Sequence, residues 1–361
     1  MNTPEPVAII GMACRFSGGV DSPDKFWAML REGREAIGQI ASERWDWYAS
    51  QGRDYAAAVR DVTKHGAFLD DIKGFDADFF DITPREAELM DPQQRIILEL
   101  SWEALEHAGI PPAGLAGTDT GVFIGVGSDD YGRRLLEDLP NIEAWTGIGG
   151  AYCAVANRVS YVLDLRGPSM AVDTACSSSL VSIHLAVQAL RARECPLALA
   201  GGVLVITAPG LSMVLDAAGA TAPDGRSKSF DASADGYGRG EGGGVLALKL
   251  LSDAERDGDR VLAVIRGSAV HQDGRTNGIM APNGQAQAHL MRRAYQSAGI
   301  DPRTVGYVEA HGTGTRAGDP LEAGAMSSVF GPGREAEQPL LIGSVKPNIG
   351  HLEAGSGVAG V

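Results

Sequence analysis

No CxxC pair occurs among the four cysteines, Cys14, Cys153, Cys176 and Cys195. Their wide spacing argues against structural zinc and thioredoxin-type redox chemistry, so no metal is expected. Scattered thiols in a large chain fit a reducing compartment. No apolar stretch approaches the roughly 18 residues of a membrane span. No block of five or more basic residues is present, and 31 Lys+Arg face 46 Asp+Glu, a net charge of −15. Neutralising phosphates needs clustered Lys/Arg, so nucleic acid is a poor partner. The start, MNTPEPVAIIGMACRF, carries Glu5 where a signal peptide needs positive charge. The expectation is a cytoplasmic chain with neither membrane nor nucleic acid as partner.

What is abundant is glycine. The 48 glycines among 361 residues are about twice the roughly 7% average. They stand singly at the ends of apolar runs, which predicts many sharp turns and close backbone approaches. Length divided by roughly 150 predicts about two domains or two fused halves. PVAII at 6–10 reads as a buried strand. GMACRFSGG behind it lacks the GxGxxG spacing of a dinucleotide site. The stretch 23–36 reads as a helix, and 41–82 as a long excursion with short elements. In ITPREAELMDPQQRIILELSWEALEHAGI, Thr83, Pro84 and Glu86 read as cap, first-turn proline and capping box, and Asp91–Pro92 restarts the helix. Further strands are expected at 121–127, 169–175 and 196–206. The runs 242–251 and 261–271, joined by SDAERDGDR, resemble a hairpin. Helices are expected at 151–164, 176–194, 285–298 and 319–329, strands at 305–311 and 339–345, and a helix opening at the chain end. Each half closes on a strand, a tight turn and a small-residue-rich helix, the outline of a duplicated α/β architecture.

Three residues sit at such junctions. Cys176, in VDTACSSS, lies between a strand and a helix N-terminus, where unpaired N–H groups and the macrodipole favour an anion. A thiol there is expected to have a lowered pKa and backbone donors able to hold an oxyanion. The alternative is a small buried hydrophobe, the reading given to Cys14, Cys153 and Cys195. His311, in VGYVEAHGTGT, ends a strand in a Gly–Thr loop, the favoured place for a site in an α/β sheet. A histidine merely tied into a turn fits the local pattern equally. Asp319, Pro320 and Glu322 read as a capping box. His351, in SVKPNIGHLEAGSG, again joins strand to helix, with Lys346 upstream in the same turn. An imidazole at a helix N-terminus is biased to neutral. Gly355, Gly357 and Gly360 make sense if another backbone packs closely against them. His184 reads as a core residue, and His65, His107, His271 and His289 lack comparable contexts.

DTACSSS, EAHGTGT and VKPNIGHLEAGSG, in this order, resemble the three signatures of β-ketoacyl synthase domains. VAIIGMACRF, the DPQQR block and GYGRGEGGG at 236–244 resemble type I polyketide synthases in particular. NGIMAPNG at 277–284 resembles iterative, aromatic-forming members. The resemblance implies a thiolase-like α/β fold, two similar halves in a five-layered α-β-α-β-α arrangement, here 1–250 and 251–361, usually as a homodimer. It implies that Cys176 is the nucleophile, taking an acyl group from the phosphopantetheine arm of an acyl carrier protein. A malonyl thioester then loses CO₂, and His311 and His351 hold the developing negative charge, with Lys346 supporting the pair. Thr313 and Thr315 match positions near the pantetheine arm. No directly bound cofactor is implied; the partners are the acyl carrier protein and an acyltransferase domain. Fatty-acid elongation shares the three motifs, and a catalytically silent megasynthase unit is the non-enzymatic alternative. Loading-type decarboxylases replace the cysteine, usually by glutamine, which Cys176 excludes. The family's chain normally continues past the helix at His351 into a loop that supplies an oxyanion donor. The second half is therefore expected to be truncated. By the magnitude of a lost donor, about 10²–10³ in rate, the isolated polypeptide is expected to be impaired, and equal activity with and without a C-terminal extension would refute this.

Overall fold

The computed structural model describes residues 4–335 and 337–361. Its main sheet has six strands: β1 (Val7–Phe16), β2 (Gly121–Gly125), β3 (Ser169–Val172), β4 (Ala198–Leu204), β5 (Gly242–Leu250) and β6 (Ala263–Ile265). Their order is β3-β2-β4-β5-β1-β6. β2 runs parallel to β3 and β4, while β5 is antiparallel to both β4 and β1.

The strands at the centre are apolar on both faces because both are covered. Ala8, Ile10, Val122 and Ile124 pack with Ile97, Leu98, Leu100 and Leu105 of helix α1 (Pro92–His107) and with Val155 and Val159 of α2 (Ala154–Val162). Their alternate neighbours Val7, Ile9 and Phe123 pack with Ile183, Ala186, Val187 and Leu190 of α3 (Ser178–Arg191). This is the period-2 side-chain alternation of a strand buried on both sides. Asp91 starts α1 by accepting the Gln93 amide at 2.8 Å ahead of Pro92.

Beyond α3 the chain builds a smaller unit. Helices α4 (Gly284–Ala298) and α5 (Gly318–Phe330) close over the parallel pair β7 (Tyr307–Glu309) and β8 (Leu341–Gly343). Ala288, Ala325, Met326, Val329 and Phe330 form the shared core. The short α6 (Ser356–Ala359) packs on α3 and on β4 and β5. The main sheet thus lies between α1/α2 and α3 with α6, and the smaller unit adds β7/β8 under α4/α5, consistent with the α-β-α-β-α succession expected.

Three expectations fail locally. The runs at 242–251 and 261–271 are not a hairpin: Leu251–Asp257 is a helix, and β1 lies between β5 and β6, pairing with each. Thr83 does cap its helix, accepting the Glu86 amide at 3.3 Å, but the Glu86 carboxylate binds Arg158 at 2.5 Å instead of closing a capping box. Cys153 is exposed, unlike the buried Cys14 and Cys195.

Candidate active site

Cys176 sits in the turn between β3 and α3, and that turn is knotted by its own side chains. The Asp173 carboxylate accepts the Ala175 amide at 3.0 Å. The Ser178 hydroxyl accepts the Thr174 amide at 2.9 Å and donates to the Ala175 carbonyl at 2.6 Å. The Ser177 hydroxyl donates to the Thr174 carbonyl at 2.8 Å. Together they hold Ala175 at φ +53°, a left-handed conformation that costs about 1–2 kcal/mol for a residue with a Cβ. Strain of this kind persists only where the surroundings over-determine it, and here it turns the next side chain, Cys176, out at the head of α3.

The thiol is half-buried. Burial pushes it up to about 11, the Glu353 carboxylate adds to the rise, and the Lys346 ammonium opposes it. The lowered pKa expected from the helix terminus is therefore not found. Loss of hydration around a sulfur anion outweighs one helix end and one partly compensated cation. At neutral pH the resting group is a thiol.

His351 is 1% exposed. Its Nδ1 accepts the Glu353 backbone N–H at 3.1 Å and lies 2.6 Å from the Ser356 hydroxyl. An amide can only donate, so Nδ1 carries the lone pair and Nε2 the hydrogen. Burial, then the neighbouring His311, Lys346 and Arg239, hold this imidazole well below its usual pKa. Tyr237 meets it edge-on at 4.9 Å between ring centroids, and His311 at 5.4 Å and 86°.

His311 keeps an edge open to solvent, but protein atoms crowd the rest of the ring. That crowding, with Lys346, pushes it down to about 4. Its backbone is set by the two carboxylates expected to cap α5. Glu322 accepts the amides of His311 at 2.7 Å and Gly312 at 2.9 Å. Asp319 accepts Gly314 at 3.1 Å and Phe230 at 2.6 Å. The capping box is thus corrected: α5 starts at Gly318 with no side-chain cap, and Asp319 and Glu322 spend their oxygens on the Gly–Thr loop. Thr313 is buried, and its hydroxyl lies 3.2 Å from that of Thr315, which also accepts the Gly318 amide at 3.2 Å.

Lys346, 5% exposed, is the charge common to all three groups. Burial lowers its pKa, against the opposing pull of Glu309, Glu322, Cys176 and Asp319. Its field reaches Cys176, His311 and His351 alike. His311 and His351 therefore meet ring against ring, and the Lys346 charge is felt by both and by Cys176. Cys176 also lines a cavity of about 1290 Å³ walled by Thr174, Val181 and the 270–282 loop. Thr315 lines a different recess, with Phe230 and Arg316. Among the described residues no three His, Cys, Asp or Glu side chains come together as a metal-ligand set. Among the described residues no helix is long and apolar enough to cross a membrane.

Sequence reading missed Glu353 and Arg239. The signal was available: a lone carboxylate in the apolar HLEAGSGVAG run, and a lone arginine among glycines in GYGRGEGGG, charges in apolar surroundings that demand a partner.

The chain matches the β-ketoacyl synthase N-terminal domain over residues 4–254 and the β-ketoacyl synthase C-terminal domain over residues 262–361. It is 57% identical to 5-methyl-1-naphthoate synthase of Streptomyces sahachiroi over 357 residues, 99% of this chain and 20% of that protein. It is 56% identical to 6-methylsalicylic acid synthase of Aspergillus terreus over 360 residues, 100% of this chain and 20% of that protein. The chain thus spans about one fifth of the length of these curated relatives. Among solved structures, the ketosynthase from module 6 of the bacillaene synthase of Bacillus subtilis 168 superposes with a TM-score of 0.87 at 42% identity, covering 99% of this chain and 60% of that one. The oxazolomycin ketosynthase domain OzmH KS7 of Streptomyces albus JA3453 gives 0.90 at 42% identity, with 99% and 62% coverage.

Proposed function

The chain belongs to the β-ketoacyl synthase family, and from that premise we propose that it catalyses decarboxylative condensation in polyketide chain extension. The carrying observation is the edge-on meeting of the His311 and His351 rings at 5.4 Å between centroids, in the field of a Lys346 ammonium that also reaches the Cys176 thiol. In the first half-reaction Cys176 attacks an acyl thioester delivered on the phosphopantetheine arm of an acyl carrier protein. The carrier thiol leaves and takes up the proton that Cys176 gives up. Because the resting thiol is protonated, deprotonation accompanies this transfer, aided by Lys346 and the head of α3.

In the second half-reaction a malonyl-type thioester loses CO₂, and charge develops on its thioester oxygen. The Nε2–H of His351 donates to that oxygen, and His311 supplies the second hydrogen bond. Neutral donors already fixed in place need no reorganisation as the charge appears. The enolate carbon then attacks the acyl-Cys176 carbonyl, and the Cys176 thiolate leaves. Thr313 and Thr315 fit the pantetheine arm by position in the Gly–Thr loop. The substrates come from a carrier protein and an acyltransferase domain, with no cofactor bound directly.

The two relatives are named for aromatic acids, which supports an iterative, aromatic-forming role. A homodimer fits the free edge of β3, where Met170 is 39% exposed and the adjoining Tyr161 is 85% exposed. The halves are drawn at 1–250 and 251–361, with β6 of the second stretch completing the sheet of the first. The test is mass spectrometry after incubation with an acyl thioester. A single acyl adduct on Cys176 supports the reading; no adduct on folded protein rejects it.

A further inference from the structure

Glu353 stands two residues after His351 with a left-handed backbone, φ +45°. That conformation aims its amide at His351 Nδ1. Its side chain is gripped by Arg239, which donates from Nε to Oε1 at 2.6 Å and from Nη2 to Oε2 at 3.0 Å. The third nitrogen of the fork donates to the Ser212 hydroxyl at 2.7 Å. The pair is nearly dry, with the Arg239 side chain 5% and the Glu353 side chain 14% exposed. The two backbones are also laced together: His351 donates to the Gly238 carbonyl at 2.7 Å, and Gly240 to the His351 carbonyl at 2.9 Å. A bidentate, buried pair fixes both partners in orientation as well as position.

We propose that Arg239 is a positioning residue for the condensation: its fork holds Glu353 in the strained backbone that fixes the His351 tautomer, and its charge cancels the Glu353 carboxylate beside Cys176. The inference rests on the function proposed above and deepens it. The titratable groups whose charge is coupled to the Cys176 thiol are Glu353, Lys346 and Tyr237, and His271, Asp273 and Arg275 line the cavity it opens onto. Those facing His351 are Tyr237, His311, Lys346 and Arg239. Removing the Arg239 charge leaves Glu353 as an uncompensated anion near the sulfur, whereas neutralising Glu353 removes that anion.

The two changes therefore push Cys176 in opposite directions, which a merely structural role for the pair does not. The experiment follows iodoacetamide alkylation of Cys176 against pH, read by mass spectrometry on the full chain. Arg239→Gln is expected to move the profile to higher pH by about one unit, the low end for a neighbouring charge, and Glu353→Gln to move it to lower pH. Arg239→Lys keeps the charge but not the fork. It is expected to leave the profile in place while ¹⁵N spectra of imidazole-labelled protein show His351 losing its single Nε2–H tautomer; His351→Asn assigns the resonance. Shifts of the same sign in Arg239→Gln and Glu353→Gln, or an unchanged His351 tautomer in Arg239→Lys, overturn the proposal. Should Arg239→Gln not fold, the other two variants decide alone: Glu353→Gln must move the profile down and Arg239→Lys must not move it. Alkylation and the ¹⁵N spectrum read the site without turnover. If wild-type protein accepts no acyl thioester, the proposed function fails while these measurements still judge the clamp.

Discussion

Adding one methyl group at Gly125 tests whether the nucleophile is placed by the close seating of α3 on β2. A Cβ built at Gly125 comes 2.5 Å from the Ser179 nitrogen, 2.6 Å from the Ser178 carbonyl carbon and 2.9 Å from the Ser179 Cα. These are backbone atoms of the first turn of α3, so no side chain can swing aside. Restoring ordinary contact at 3.4 Å requires the helix head to retreat by about 0.9 Å, the difference between the two separations. Overpacking of this kind costs about 1–3 kcal/mol of stability. Cys176 lies two residues before α3 and is expected to move with it. A displacement near 1 Å at a reacting atom costs up to about 10² in rate. Gly125→Ala should thus remain folded, melt several degrees lower, and acylate Cys176 roughly 10- to 100-fold more slowly. The control is Gly127→Ala, two residues further along. There the new methyl meets only the Ala354 Cβ at 3.5 Å and the Asp173 carboxylate at 3.7 Å, and acylation should stay near wild type. Burst amplitude and rate with an acyl thioester, alongside a thermal melt, read both effects. Equal acylation rates in wild type and Gly125→Ala would refute the argument that this contact sets the nucleophile.

On the proposed roles, His311→Ala removes one of two donors to the enolate oxygen, so it should lower condensation by about 10²–10³ while slowing acyl transfer to Cys176 far less; loss confined to the transfer step contradicts that role. Glu241 is wholly buried and accepts from Arg44 at 2.6 Å and from the Ile206 and Leu69 amides at 2.7 and 2.9 Å. Glu241→Ala leaves Arg44 and two amides unpaired, and should cost about 3–5 kcal/mol in a denaturant melt; a loss below 1 kcal/mol would count against a structural role for the pair. His311 falls to about 4 on folding from an ordinary 6.5, and burial holds His351 well below that ordinary value too. Between those pH values the unfolded chain binds protons that the folded chain does not, so stability is fully present above pH 6.5 and drains away as pH drops through the window. Melts at pH 7.5, 6 and 5 should show a progressive fall that is smaller in His351→Asn; identical slopes in both proteins reject the assignment.

Much of this candidate site was legible because Cys176, His311 and His351 lie at strand-to-loop junctions, which apolar runs and glycines mark locally. The layers were legible for the same reason: α1 and α3 carry long apolar patterns, and the strands between them have no polar face. What escaped depends on neighbours distant in sequence. The segment SDAERDGDR reads as a hairpin loop until β1, some 240 residues earlier, is known to fill the gap between β5 and β6. The thiol of Cys176 looks activated from its helix terminus alone, but the desolvation that raises its pKa comes from packing that no local pattern encodes. Asp319 and Glu322 have capping-box spacing, yet the amides of His311, Gly312 and Gly314 compete for the same oxygens and win, because a Gly–Thr loop offers several unpaired donors at once.

The glycine excess has its clearest physical use around the head of α3. At Gly202 of β4 a Cβ lies 2.6 Å from the Ser179 Cβ, and at Gly357 of α6 it lies 2.5 Å from the Leu180 Cγ and 2.9 Å from the Ser179 hydroxyl. With Gly125 of β2, three separate elements press bare backbone against Ser179, with Ser178 and Leu180 on either side of it. The Ser179 hydroxyl accepts the Val358 amide at 3.1 Å across that contact, tying α6 to α3. Since α6 begins five residues after His351 and α3 begins two after Cys176, one close-packed socket fixes the thiol-bearing turn and the imidazole-bearing turn relative to each other. The left-handed residues Ala175 and Glu353 flank that socket on the sides of Cys176 and His351. The left-handed backbone at Ala175 and Glu353 is thus held between closely packed backbones, and a side chain added on any of the three faces should disturb Cys176 and His351 together.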